Sequence, residues 1–183
     1  MADSPVLPFS DTYWVVPGKL MAGEYPGVHN LEYSRKRIIA LIRSGIRTII
    51  DLTQPGDSDH PYAQHLSQEA ELHGVEIKRL NFPVPDFGTP PAGLMTRILN
   101  LIEDEIAEGK PIYVHCLAGI GRTGTVVGCY LVNQGLTGEE ALAEITNLRA
   151  NTSSWWHRSP ENQDQVDFIL NWAVRKASDK IYS

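Results

Sequence analysis

From Pro111 to Val132 the chain passes from a short apolar stretch, Pro111 to His115, through a glycine-punctuated loop into a segment, Thr123 to Val132, that is apolar on nearly every side. A helix with no polar face has nothing to turn toward water, so it must be packed centrally. The β-branched and aromatic run before it reads as a buried strand. A buried strand leading through a loop into a buried helix demands layers on both sides, which points to an α/β fold. With 183 residues, 42% hydrophobic and 21% charged, the chain can build one well-buried core and falls short of two ordinary domains.

The remaining pattern alternates in the same way. Tyr13 to Val16 and Lys19 to Ala22, separated by Pro17-Gly18, predict a hairpin at a sheet edge. Leu31 to Ser44 carries Ile38, Ile39, Leu41 and Ile42 at helical spacing, and Arg47 to Leu52 is a β-branched run. A second helix-to-strand step follows in Tyr62 to His73 and Val75 to Asn81. Residues 82–91 hold four prolines and a glycine and must be loop. A third helix is marked by Leu94, Ile98, Leu101, Ile102 and Ile106 and closed by Gly109, and two more run from Gly138 to about Arg149 and from about Glu161 to Arg175. The expectation is a tail over residues 1–12 and a single α/β domain over 13–183. Its mainly parallel central sheet has about four or five strands, with helices on both faces.

The net charge of −6 argues against a nucleic-acid binder that works by broad charge neutralisation. Cys116 and Cys129 are too few for a disulfide framework and fit a reducing compartment, the cytoplasm. No leader pattern and no run of eighteen apolar residues occurs, so no membrane span is expected. A monomer without cofactor or metal is the default.

The chemistry lies in His115-Cys116-Leu117-Ala118-Gly119-Ile120-Gly121-Arg122-Thr123-Gly124. In α/β sheets ligands collect beyond the carboxyl ends of strands, where backbone N–H groups and a helix N-terminus face an anion. Gly119 and Gly121 let the main chain of Leu117, Ala118, Gly119, Ile120 and Gly121 curl into an anion nest sized for phosphate. At its rim Cys116 is placed to ionise and act as nucleophile. Arg122 offers a planar fork for two phosphate oxygens and for the charge of a flattening transition state. Thr123 can hydrogen-bond the departing thiolate, and His115 is expected to brace the loop through a backbone contact. The loop Pro83 to Pro91 carries Asp86, thirty residues before Cys116 and across one helix and one strand, so it belongs to the same end of the sheet. Asp86 is the candidate general acid for the leaving oxygen and later base for water.

This Cys-x5-Arg loop and its upstream aspartate resemble the protein tyrosine phosphatase superfamily, and more narrowly its small dual-specificity members, including the cell-cycle types. The match in motif order runs from Tyr13-Trp14 to Gln165. The resemblance implies a dual-specificity-phosphatase-like fold, a cysteinyl-phosphate intermediate and a late-helix glutamine that positions the hydrolytic water. Ser159 to Gln165 resembles that element, with Gln165 the first choice and Gln163 the second. Glu161 stands where the tyrosine-specific pattern has its first glutamine. The Lys-Asn-Arg-Tyr run that deepens tyrosine-specific pockets is absent, which implies a shallower cleft open to phosphoserine and phosphothreonine as well as phosphotyrosine. Lipid and inositol phosphatases of the superfamily often carry lysines inside the signature loop, where this chain has Leu117 and Ile120. Phosphorylated proteins are therefore the leading substrate class, followed by phosphoinositides or another small phosphate ester.

Other readings compete. A non-catalytic phosphate-binding module would need neither Cys116 nor Asp86, and a rhodanese-type sulfurtransferase would need no hinged acid. Gly119-x-Gly121-x-x-Gly124 also spells a dinucleotide fingerprint, but that predicts a strand after the helix where residues 138–142 read as helix. Cys129 reads as core. Asp57, Asp59 and His60 read as a solvated loop rather than metal ligands. Trp155-Trp156-His157-Arg158 reads first as packing, with substrate contact by Trp156 or Arg158 as the alternative.

Overall fold

The computed structural model describes residues 7–173, in which strands and helices alternate from the second strand to the fourth helix. They are β1 Thr12–Val16, β2 Leu20–Gly23, α1 Leu31–Arg43, β3 Thr48–Asp51, α2 Ala63–Leu72, β4 Lys78–Asn81, α3 Ala92–Ala107, β5 Ile112–His115, α4 Gly121–Asn133, α5 Gly138–Leu148 and α6 Gln163–Leu170. The five strands form one sheet in the order β1-β2-β5-β3-β4. β1 and β2 pair antiparallel as the expected edge hairpin, and every other neighbouring pair is parallel.

β5 is the middle strand, with Ile112 opposite both Leu20 and Thr48 and His115 opposite both Gly23 and Asp51. Side chains along it alternate between layers. Ile112 and Val114 join Ile50, Leu20 and Ala22 against α3, α4, α5 and α6, while Tyr113 joins Ile49 and Met21 against α1 and α2. Helix α4 is buried from Gly121 to Leu131, as its all-round apolar sequence demands. Cys129 lies fully buried on it.

Local signals explain most boundaries. Asn30 caps α1 by accepting from Tyr33 N, and α5 opens with a reciprocal box between Thr137 and Glu140. The exposed edge strand β4 is shorter than the expected Val75 to Asn81, pairing only from Lys78. Helix α4 begins at Gly121, two residues before the apolar run, which puts Arg122 in its first turn. Asn162 accepts from Gln165 N and so starts α6 at Gln163 rather than Glu161. Arg175, the expected end of that helix, and residues 1–6 of the expected tail lie outside the described residues. Residues 9–12 run across the surface, with Phe9 edge-on to Tyr113 and under the Arg37 guanidinium. Thr12 is already part of β1.

Candidate active site

The carboxyl end of β5 delivers Cys116, 3% exposed, into the loop of residues 116–121. Gly119 adopts φ +71°, and a Cβ there would overlap the peptide between Gly23 and Glu24. Both conditions leave room only for glycine. The loop is tied down from three sides. Tyr25 N donates to Leu117 O at 2.9 Å, Ser159 Oγ donates to Ile120 O at 2.7 Å, and the side chain of Glu161 lies against Gly121. Leu117 is 40% exposed, so this position faces outward at the mouth.

His115 braces the loop from beneath. Its Nδ1 donates to Cys116 O at 2.9 Å; because a carbonyl only accepts, the neutral ring's Nε2 accepts from Tyr62 Oη at 2.7 Å. Burial lowers the His115 pKa and keeps the ring neutral. Below it, Asp51 is fully buried and takes two bonds from Arg79, at 3.0 and 2.6 Å, and two from Thr53, at 2.8 and 2.6 Å. Burial alone would raise the Asp51 pKa, but His115, Thr53 and Arg79 hold it below the ordinary carboxylate value. Two arginine N–H groups on Oδ2 and two Thr53 donors on Oδ1 are what keep this buried carboxylate charged.

Arg122 is where three loops meet. Its side chain is 2% exposed; Nη1 donates to Val84 O at 3.0 Å and to Asp57 Oδ2 at 2.5 Å, and Nη2 reaches Asp86 Oδ1 at 3.1 Å. Burial works against its charge, but Asp57, Cys116 and Asp86 together raise its pKa, so the guanidinium stays ionised. Asp57 therefore departs from the expected solvated loop: its side chain is only 14% exposed, and its carboxylate is anchored on Arg122. A turn of the form Gln-Pro-Gly-Asp carries no signal that distinguishes this from a surface turn, which is why sequence reasoning passed over it.

Asp86 is half exposed, on the loop between β4 and α3. Val84 N donates to Leu52 O, and Gly88 N closes a turn on Pro85 O around Phe87, which sits at φ +57°. The start of α6 holds the far side. Asn162 Nδ2 donates to Phe87 O at 2.8 Å, and Gln165 Nε2 donates to Gly88 O at 3.1 Å. Gln165 is fully buried, and its Oε1 accepts from Glu161 N at 3.2 Å. Gln163 instead donates to Asp167 on the exposed face of α6. Thr123 lies in the first turn of α4, and its buried Oγ1 has no hydrogen-bond partner among the described residues, so the anticipated bond to sulfur is not formed here. Trp155 and Trp156 are 64% and 66% exposed, and the Trp156 ring lies tilted against that of His157. They are surface residues rather than packing ones.

A buried cysteine at the end of a central strand, a glycine-bent loop, a charged arginine and an aspartate from a separate loop thus converge at one sheet end. A family model described as the Swiss Army Knife protein, DSP-PTPase phosphatase domain (PTP-SAK), matches residues 10–166. The chain belongs to this family. The family is that of the cysteine-based phosphatase domains of the tyrosine and dual-specificity type. The chain is 30% identical over 152 residues to protein tyrosine phosphatase domain-containing protein 1 of Mus musculus, covering 76% of this chain and 19% of that protein. It is 31% identical over 117 residues to the phosphatidylglycerophosphate phosphatase PTPMT2 of Arabidopsis thaliana, covering 63% of this chain and 48% of that protein. The chain thus spans about a fifth and about half of these two relatives. Among solved structures, Tk-PTP in its active form superimposes with a TM-score of 0.69 at 24% identity, covering 96% of this chain and 99% of that one, which supports the DSP-PTPase fold. In the DSP-PTPase domain, α5 follows α4 with no intervening strand, so the dinucleotide reading of the glycines fails. Among the described residues no helix is long and apolar enough to cross a membrane.

Proposed function

We propose that this domain hydrolyses phosphomonoesters through a cysteinyl-phosphate intermediate, with phosphotyrosine and phosphoserine or phosphothreonine in proteins as the leading substrates. The observation that carries this reading is the Arg122 to Asp86 contact at 3.1 Å, which brings an acid from 36 residues upstream onto the residue that closes the Cys116 loop. Cys116 Sγ attacks phosphorus, the bond to the leaving oxygen breaks, and Asp86 gives that oxygen its proton. Water then attacks phosphorus, the P–S bond breaks with its electron pair returning to sulfur, and Asp86 takes a water proton. Arg122 and the main-chain N–H groups of 117–121 hold the equatorial oxygens in both steps. The unpartnered Thr123 hydroxyl is available to the sulfur as it departs. Gln165 serves the water step through the two backbone groups it binds, Gly88 O and Glu161 N. Because the nucleophile is the Cys116 sulfur and the counter-charge for the phosphate is the Arg122 guanidinium, no metal is needed. The domain is read as a cytoplasmic monomer.

A lipid phosphomonoester is the second reading. It is favoured by the plant relative, a phosphatidylglycerophosphate phosphatase, and by the exposed apolar side chains of Leu117 and Phe87 beside the nucleophile and the acid. The test is hydrolysis of para-nitrophenyl phosphate in EDTA, followed by a panel of phosphopeptides, phosphoinositides and phosphatidylglycerophosphate. Metal-free turnover with highest kcat/KM on phosphopeptides is expected. Turnover that requires added metal would overturn the mechanism, and a preference for the lipids would replace the substrate class.

A further inference from the structure

We propose that Trp155 and Trp156, together with the Glu161 carboxylate, form a specificity site that binds a lysine or arginine side chain flanking the phosphorylated residue of a protein substrate. This rests on the protein-substrate reading above and narrows it to basic sequences.

Tryptophan is highly buried in most folds, as Trp172 is here, yet Trp155 and Trp156 stand 64% and 66% exposed side by side. The segment that carries them is firmly held. Arg149, itself buried, donates Nη1 to His157 O at 2.8 Å and Nη2 to Ser154 O and Oγ at 3.1 and 3.0 Å. From the other side the Asp11 carboxylate accepts from Ser154 N at 2.9 Å and from Ser153 Oγ. Trp155 N donates to Thr152 O and His157 N to Ser154 O, which winds residues 152–157 into tight turns. Two large rings are thus presented to solvent on a backbone already ordered for binding.

The same segment leads to the mouth of the site. Ser159 Oγ donates to Ile120 O of the phosphate loop, and the Glu161 side chain lies against Gly121. The Trp156 ring centroid is 3.6 Å from that of His157, and His157 is near enough to Glu161 for its charge to be felt there. Rings, carboxylate and phosphate loop are therefore contiguous.

Charge selects the occupant. The Glu161 carboxylate is held by no hydrogen bond or ion pair among the described residues, and burial followed by the Asp86 charge raises its pKa. Asp164, exposed in the first turn of α6, adds a further negative charge. An apolar group seated on the rings would strip water from the Glu161 carboxylate and replace none of its bonds. An anionic lipid surface would meet like charge. A cation satisfies both features, stacking on an indole face and pairing with the carboxylate. Arg158, exposed beside His157, would instead draw an acidic flank.

The test is kcat/KM on one phosphopeptide series in which each flanking position in turn is lysine, alanine or glutamate. Wild type should favour lysine over alanine by about threefold to thirtyfold at one position or more. Trp155→Ala/Trp156→Ala and Glu161→Gln should each bring that ratio close to one, whereas Trp155→Phe/Trp156→Phe keeps two rings and should retain part of it. A ratio between peptides is not moved by a general loss of turnover. A wild-type ratio near one, a preference for glutamate, or a lysine preference that survives loss of both rings would overturn the site. Sedimentation with phosphatidylcholine vesicles that is lost in Trp155→Ala/Trp156→Ala would assign the rings to a bilayer instead. A wild type that turns over para-nitrophenyl phosphate but no peptide of the series would overturn the protein-substrate reading itself, so the two failures are told apart.

Discussion

The loop of residues 116–121 and the loop of residues 82–91 both serve the same guanidinium, yet they are built in opposite ways. The first leaves the central strand, is buried at Cys116, Gly119, Ile120 and Gly121, and is pinned by His115, Tyr25 and Ser159. The second is exposed from Pro85 to Phe87 and is held at its far side by two side chains of the α6 start, Asn162 and Gln165. The difference follows what each must do. Stabilising a transition-state charge requires donors that do not reorganise, whereas an acid must approach substrates of varied shape.

Breaking the rigid loop should have the largest effect. Gly119→Ala forces a side chain into the peptide after Gly23 at a left-handed φ, so turnover should fall by at least about a hundredfold while the circular dichroism of the fold is kept. Wild-type turnover would mean that this loop is softer than its contacts indicate. Asp86→Ala should cost about 10²–10⁴-fold with poor leaving groups and far less with good ones, read from a leaving-group series. Equal slowing across the series would move the acid role elsewhere.

Asp57 sharpens the comparison, since it ties a third loop to Arg122. Asp57→Ala should lower kcat/KM about tenfold and weaken vanadate, because a charge-assisted bond that orients the fork is lost. Tighter vanadate binding would show instead that Asp57 competes with the oxyanion. The smallest effect concerns pH. His115 has its pKa lowered by burial, and Asp51 sits below its ordinary value because His115, Thr53 and Arg79 outweigh the effect of burial. Both groups bind fewer protons folded than unfolded, so stability rises with pH. The His115 contribution should begin to fade as pH drops below about 6.5, and the Asp51 contribution below about 4. Thermal melts across this range check it, and His115→Asn should flatten the upper part of the fall.

The fold was readable where periodicity and burial agree. The all-round apolar run of α4, the β-branched runs of β3 and β5 and the Pro17-Gly18 hairpin each have one consistent reading, and the layers follow from their alternation. Cys116, Arg122 and the glycines of the loop were legible because a local motif sits between a strand and a helix. Asp57, Tyr62, Asp51 and Arg79 were not, since their roles arise from contacts between segments 28 to 65 residues apart in sequence, which no local pattern encodes. Gln165 was named from the resemblance, ahead of Gln163, but its partners were not legible: a cap residue, Asn162, sets where α6 begins, and only the packed structure shows Gln165 buried against the acid loop and Gln163 turned outward.

Rapid acid quench during turnover of para-nitrophenyl phosphate, followed by peptide mass spectrometry, tests the nucleophile most directly. One phosphoryl group is predicted on the peptide containing Cys116, absent in Cys116→Ser and after the substrate is exhausted. Sustained release of nitrophenol with that sulfur never phosphorylated, in wild type and in Asp86→Ala alike, would contradict it.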